Sequence, residues 1–149
     1  MQRKIFINIV IVLILGVLIS GLLSARIVKN NLMDSIEKSL TTEVGLVREL
    51  AGNSLISNCS SIDIYVNKIR RTTNSRITIV DISGNVIIDT DKEYSDMDNH
   101  SKRPEIESAL NGESGMSIRY SDTLKVDFMY VAQPIIKDNN IIGAVRLSK

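Results

Sequence analysis

The first residues of the chain form an apolar run at residues 5–23, made almost wholly of Ile, Val and Leu and free of charge. A helix rises ~1.5 Å per residue, so about 20 apolar residues cross the ~30 Å hydrocarbon core of a bilayer. The run therefore predicts a transmembrane helix. Arg3 and Lys4 precede it, which favours a cytoplasmic tail at residues 1–4 and an extracytoplasmic remainder. A cleaved secretory signal is the alternative, but signal cores are shorter, and Leu23 lies where a small residue is expected.

Apolar residues continue beyond this run at helical spacing. They fall three or four positions apart, at Leu32, Ile36, Leu40, Val44, Val47 and Ala51. This spacing predicts a stalk helix at residues 24–56. Because it does not keep a strict heptad, we expect the stripe to pack partly on its own domain and partly on a second copy. Gly16, Ser20 and Ser24 also recur every fourth position, which favours a homodimer through the transmembrane and stalk helices, although such residues are common in single spans too.

The pattern changes from helical to alternating in the second half of the chain. A short helix is predicted at about residues 61–72. β-Branched residues on both sides of the turn at residues 83–85 then predict a β-hairpin. Pro104 and Gly112 mark the start and end of a further helix, for which Ser101 is a candidate cap.

Three more strands are predicted. Residues that share one face alternate along the first two, at residues 116–120 and 126–132, and the last strand is predicted at residues 141–147. The order of elements is helix, helix, two strands, helix, three strands. This order predicts an α+β fold, in which a five-stranded antiparallel sheet carries flanking helices and forms a domain at residues 57–149.

The composition excludes several classes of function. The net charge is +1 with basic residues spread along the chain, so no nucleic-acid partner is expected. Cys59 is the only cysteine, which excludes an internal disulfide and leaves a buried thiol or an intermolecular bridge as alternatives. We find no phosphate loop, activated nucleophile or paired carboxylates, so the sequence predicts no catalytic site, cofactor or metal.

Four residues are candidates for ligand binding: His100, Arg103, Arg119 and Tyr130. His100 is the only histidine, so it cannot form a dyad or a multi-histidine metal site within one copy. We expect it to organise the loop beside Arg103 through a local hydrogen bond, with ligand contact as the alternative. Tyr130 alternates with apolar neighbours, which favours a packed core position over a place in a pocket.

Arg119 and Tyr120 are adjacent on a predicted strand, so their side chains point to opposite faces. If Tyr120 joins Met116 and Ile118 in the core, Arg119 lies on the other face. There it either pairs with the acidic loop at residues 89–98 or binds an anion. The acidic loop itself lacks the glycine and glutamate spacing of a calcium site, and we expect it to be solvated.

Three stretches carry a resemblance to a known family. They are IVDISGNVIIDTD at residues 79–91, NHSKRPE at residues 99–105, and SIRYS at residues 117–121 leading to MYVAQPI at residues 129–135. Together they resemble the extracytoplasmic sensor region of PhoR-like, phosphate-regulon-type membrane sensor histidine kinases, which is a Cache or PAS-like module. The resemblance implies that fold for the sheet and its helices, and a role in sensing.

In that family the sensor lies between two membrane spans and precedes a HAMP linker and the kinase domains. This chain reaches Lys149 without them, so the resemblance implies a fragment: the input region of a two-component kinase at the cell membrane, with an unknown small-molecule or protein ligand. A free-standing membrane-anchored ligand-binding or adaptor protein is one alternative. The sensor end of a chemoreceptor or a cyclic-nucleotide enzyme is another.

Overall fold

The computed structural model describes residues 2–56, 62–93, 95, 97–121 and 125–149. Predictions about Cys59 and most of the turn after residue 121 therefore lie outside the described residues.

The chain forms two compact units, Met1–Ser35 and Ile36–Lys149. Helix α1 (Gln2–Ile56) supplies the first unit and the first element of the second. Within the described residues, one helix is long and apolar enough, by length and composition, to cross a membrane. It spans Arg3–Gly52, and an 18-residue stretch of it has a mean hydropathy of 2.9. Most of the large apolar side chains of the first unit are exposed.

The second unit continues with a short helix, five strands and one more helix. Their bounds are α2 Ile62–Thr73, β1 Arg76–Asp81, β2 Val86–Asp89, α3 Pro104–Leu110, β3 Gly115–Ser121, β4 Val126–Lys137 and β5 Asn140–Ser148. The strands form one sheet in the order β2-β1-β5-β4-β3, and every neighbouring pair is antiparallel. The predicted α+β fold with a five-stranded antiparallel sheet is confirmed.

One face of the sheet packs against the second half of α1. The buried side chains on this face come from α1 and the three central strands: Leu40, Val44, Val47, Ala51, Ile77, Ile79, Val131, Ile135, Val145 and Leu147. Gly45 and Gly52 of α1 come near Gln133 and Ile135 of β4, which places the helix against that strand. The predicted stalk stripe thus packs on its own domain from Leu40 onward, while its pairing with a second copy stays a prediction.

The opposite face carries α3 and a smaller apolar cluster. Ile106 and Ala109 of α3 are fully buried there against small and β-branched residues of the sheet, which are Val80, Val86, Ala132 and Ala144. Pro104 begins the helix as predicted. The cap position is Arg103, and no side chain of the described residues caps the helix, so the predicted capping by Ser101 is wrong.

Strand β3 alternates as predicted, but with the two faces exchanged. Met116 and Ile118 are 49% exposed and Tyr120 is 57% exposed, so these residues are not in the core. The reason is the close approach of α3. A Cβ atom on Gly115 would overlap the backbone of Glu105, lying 2.7 Å from its Cα, so only glycine fits at this position. The next two residues on this face, Ser117 and Arg119, are polar and bond to the carboxylate of Glu105.

Candidate functional site

The loop that ends in His100 is fastened to the β1–β2 turn. Backbone N–H groups of Ser83 and Asn85 donate to the carboxylate of Asp81, at 2.8 and 2.9 Å. The side chain of Asn99 donates to the carbonyl of Ser83 at 2.9 Å, and the N–H of His100 donates to the carbonyl of Gly84 at 2.8 Å. These bonds hold the loop in a defined position over the face of the sheet that carries α3.

His100 is a buried histidine with one ring nitrogen already engaged. Its Nδ1 lies 2.6 Å from the carbonyl oxygen of Asp98. Because a carbonyl can only accept, Nδ1 carries the proton in this bond, as we predicted for a residue that organises its loop. Burial lowers the pKa of His100, and the positive charges of Arg146, Arg103 and Arg76 lower it further. The imidazole is therefore neutral at pH 7, and its Nε2 is an acceptor.

Glu105 is a fully buried carboxylate that joins α3 to two strands. Arg119 of β3 donates to both of its oxygens at 2.8 Å, in the two-pronged geometry that strengthens such pairs. Ser117 donates at 2.7 Å, and Arg146 of β5 lies farther away at 3.3 Å. Burial alone would raise the pKa of Glu105, but the bonds from Arg119 and Ser117 outweigh it and lower the pKa to about 2. Glu105 is thus ionised throughout the physiological range.

A second carboxylate, Asp89 at the end of β2, plays a similar part for Arg76. The Nε of Arg76 is 3.1 Å from both carboxylate oxygens. Thr78 donates to Asp89 at 2.8 Å and accepts from Arg146 at 3.0 Å. Burial raises the pKa of Asp89, but bonds from the backbone of Asp91 and from Arg76 outweigh it, so the pKa falls below its usual value.

Arg146 lies between these two carboxylates and shares Glu105 with Arg119, its own ion pair being the longer one at 3.3 Å. It is only 3% exposed, and its Nε has no hydrogen-bond partner within the described residues. Burial lowers the pKa of Arg146, and the attraction of Glu105 offsets this only in part. By contrast, the hydrogen bonds that Arg119 donates to Glu105 raise the pKa of Arg119. The negative charge of Glu105 is therefore committed mainly to Arg119.

Tyr130 of β4 contacts both arginines with the face of its ring. The guanidinium carbon of Arg119 is 3.8 Å from the ring centre, and that of Arg146 is 5.3 Å away. Both distances are within the range of a cation–π interaction. The favoured prediction of a packed core position is wrong, because Tyr130 is only half-buried and lines a cavity.

This cavity has a volume of about 230 Å³ on the α3 face of the sheet. Its walls come from the four strands β1, β3, β4 and β5 and from the loop that precedes α3. The lining residues are Arg76, Lys92, Met97, Asp98, His100, Arg103, Arg119, Tyr130 and Arg146. The structure therefore brings together His100, Arg103, Arg119 and Tyr130, the four residues predicted from sequence. Their role in binding stays a prediction.

Three further residues of the site were not found from the sequence: Arg76, Arg146 and the carboxylate of Glu105. Arg119 was expected to pair with the acidic loop, and it pairs with Glu105 of α3 instead, because the inward face of β3 lies directly beside the start of that helix. One signal was available for Arg146. It interrupts an otherwise apolar run in β5, whose residues 143–148 are all buried. A buried charge is costly unless it is paired, so an arginine in such a strand is a candidate for a binding site or an internal ion pair.

The sequence model of the single Cache-like family matches residues 29–149 of the chain. This match covers most of the protein. The chain belongs to the single Cache-like family. A search of curated proteins found no match.

Solved Cache-type structures share the fold at low sequence identity. The ligand-binding domain of the Campylobacter jejuni chemoreceptor Tlp3, in complex with 4-methylisoleucine, is 16% identical with a TM-score of 0.63, covering 78% of this chain and 52% of that one. The sensor domain of the V. cholerae histidine kinase DctB is 16% identical with a TM-score of 0.53, covering 80% and 56%. The ligand-binding domain of the Pseudomonas fluorescens chemoreceptor CtaA, in complex with L-serine, is 18% identical with a TM-score of 0.58. The alignment covers 78% of this chain and 53% of that one. The chain thus spans about half the length of these structures.

Proposed function

We propose that the chain is the membrane-anchored sensory region of a PhoR-like two-component histidine kinase, and that its Cache-like domain detects a small molecule outside the cytoplasm. In this proposal residues 1–4 are a cytoplasmic tail, residues 5–23 the membrane span, residues 24–56 the stalk and residues 57–149 the sensor. The observation that carries the proposal is the cavity on the α3 face, where His100, Arg103, Arg119 and Tyr130 meet around about 230 Å³ of space.

The sheet offers a route by which occupancy of the cavity reaches α1. Arg146 and Val145 are neighbours on β5, so their side chains point to opposite faces. Arg146 lines the cavity, and Val145 is fully buried with the residues that pack against α1. A ligand that moves β5 therefore changes the surface on which α1 rests. A displacement of about an ångström at such a packed interface is enough to favour one of two helix arrangements.

The structural neighbours support a chemoreceptor as the second candidate. The Tlp3 and CtaA structures are ligand-binding domains of chemoreceptors in complex with 4-methylisoleucine and L-serine, and the DctB structure is the sensor domain of a histidine kinase. The fold therefore serves both kinds of receptor. A free-standing adaptor is a third. The gene sequence that follows the codon for Lys149 distinguishes them, since a kinase, a chemoreceptor signalling domain and a stop codon are the three different expected results.

The sensing role itself is tested by ligand screening on the full chain in lipid nanodiscs. Amino acids, carboxylates, phosphorylated compounds, sugars and polyamines are added in turn, and thermal unfolding of the domain is followed. We expect at least one compound to stabilise the protein, because a ligand that binds only the folded state raises its stability. Tyr130→Ala should abolish this effect, and Ile64→Ala on the exposed face of α2 should retain it. A panel with no stabilising compound contradicts the proposal.

A further inference from the structure

The cavity has more positive than negative charge on its walls. Among the described residues, five cationic side chains line it, and these are Arg76, Lys92, Arg103, Arg119 and Arg146. Asp98 is the acidic residue of the lining, and His100 is neutral there. The charges that matter for a ligand are those left over once the internal ion pairs are counted.

Two of the five cations are matched by a carboxylate each. Arg119 is held by both oxygens of Glu105, and Arg76 by both oxygens of Asp89. Glu105 also accepts a hydrogen bond from Ser117, so its lone pairs are largely occupied by Arg119 and Ser117. The bond from Arg146 is accordingly longer, at 3.3 Å. The two buried carboxylates therefore leave Arg146 without an equivalent partner.

Arg146 is the member of this group that most requires a partner. A buried guanidinium without full compensation is costly, and an unbonded N–H in a buried place adds to the cost. Its Nε is such a donor, and the residue lines the cavity. Lys92 and Arg103 are exposed residues of the lining, and the described residues show no ion pair to either one. Their long side chains are able to reach a bound anion.

We propose that the cavity binds a small oxyanion, a carboxylate or a phosphate, which gives Arg146 a counterion that it does not share with Arg119 and is closed in by Arg103 and Lys92. This inference rests on the proposed small-molecule sensing and names the class of ligand. The volume of about 230 Å³ corresponds to roughly eight water molecules at ~30 Å³ each, which suits a ligand of metabolite size. The ring of Tyr130 adds an apolar wall for the carbon skeleton of such a ligand.

The test is calorimetric titration of the full chain in nanodiscs with succinate and inorganic phosphate, at constant ionic strength. Succinamide and putrescine serve as the neutral and cationic probes of similar size. We expect one or both oxyanions to bind and neither of the other probes to do so. Which oxyanion binds more tightly distinguishes the carboxylate from the phosphate source.

Three variants assign the binding to the cavity. Arg146→Met should weaken oxyanion binding by about tenfold or more, as expected for loss of a charge-assisted hydrogen bond. Arg103→Gln, at an exposed position that the fold does not need, should weaken it by up to about fivefold. Lys102→Gln is the matched control, since Lys102 is exposed, adjacent and not part of the lining, and it should leave binding unchanged.

Two results would overturn the inference: succinamide that binds as tightly as succinate, or Arg103→Gln and a folded Arg146→Met that both bind oxyanions as the unmodified chain does. If the oxyanions fail to bind while another compound from the ligand screen stabilises the domain, the inference fails and the proposed sensing function stands. If no compound of any class binds, both fail.

Discussion

The ion-pair cluster makes Glu105 the most sensitive charged position of the domain. Glu105→Gln keeps the size of the side chain and removes its charge. Arg119 and Arg146, which both donate to this carboxylate, then face a neutral amide in a buried place. We expect a large loss of stability at pH 7, because removal of one partner of a buried ion pair leaves the other charge uncompensated.

The magnitude follows from the pKa of Glu105, which lies at about 2 in the folded protein against an ordinary value of 4.5. Each pKa unit corresponds to about 1.4 kcal/mol, so the charged form contributes about 3 kcal/mol to folding. Because the folded pKa is the lower one, this contribution is complete above about pH 4.5 and is lost as the pH falls towards 2. Breaking a buried pair by mutation costs about 3–5 kcal/mol, which is consistent.

The assay is urea unfolding of the full chain in nanodiscs at several pH values, with amide hydrogen exchange in β5 as the local readout. Glu105→Gln should lower the free energy of unfolding by about 3 kcal/mol at pH 7 and flatten its decline below pH 4.5. Glu107→Gln on the exposed face of α3 is the control and should change it by less than about 0.5 kcal/mol. A Glu105→Gln variant as stable as the control, or one with an unchanged acid dependence, refutes the reasoning.

Three further predictions concern packing and protonation. Gly115→Ala should cost about 1–3 kcal/mol in thermal unfolding, because its Cβ would overlap the backbone of Glu105; an unchanged midpoint would contradict the close approach. In urea unfolding, Leu40→Ala should lower the free energy of unfolding by about 2–5 kcal/mol, because Leu40 is fully buried. The exposed control Leu46→Ala should lower it by less than about 0.5 kcal/mol, and equal effects would contradict the packing of α1. The resonances of His100, the only histidine, should titrate below 6.5 by NMR and shift upward when an oxyanion binds; a pKa at or above 6.5 in the free protein would contradict its burial among cations.

The sequence predicted most of the fold because local spacing carries that information. The alternation on both sides of Gly84 and the proline–glycine boundaries of α3 identified the elements close to their observed bounds. The sequence could not tell which face of β3 turns inward. Met116 and Ile118 are the more hydrophobic set and would normally be buried, but they are half-exposed. The inner face instead carries Gly115, which lies against the backbone of α3, and two polar residues, Ser117 and Arg119, which bond to Glu105.

The ion pairs of the site were less accessible to sequence analysis. Glu105 and Arg146 are 41 positions apart, and neither periodicity nor local composition relates two residues at that separation. Arg119 was recognised as a residue of the polar face, yet its partner was sought in the acidic loop. Charge alone does not decide between an exposed acidic cluster and a single buried carboxylate. The tertiary structure does, because it places Glu105 on the first turn of a helix that crosses the strand carrying Arg119.

The arrangement of charges shows how the proposed anion site would combine stability with a response to its ligand. Glu105 and Asp89 each fix one arginine firmly, so the strands that carry Arg119 and Arg76 are held in place whether or not a ligand is present. Arg146 is the exception, because its ion pair with Glu105 is longer, at 3.3 Å. In the proposed site an anionic ligand would form a closer ion pair with it. It lies on β5, the central strand whose opposite face is buried with the residues that pack on α1. An anion that binds Arg146 in the proposed site would therefore act on β5, the strand whose movement would alter the packing of α1.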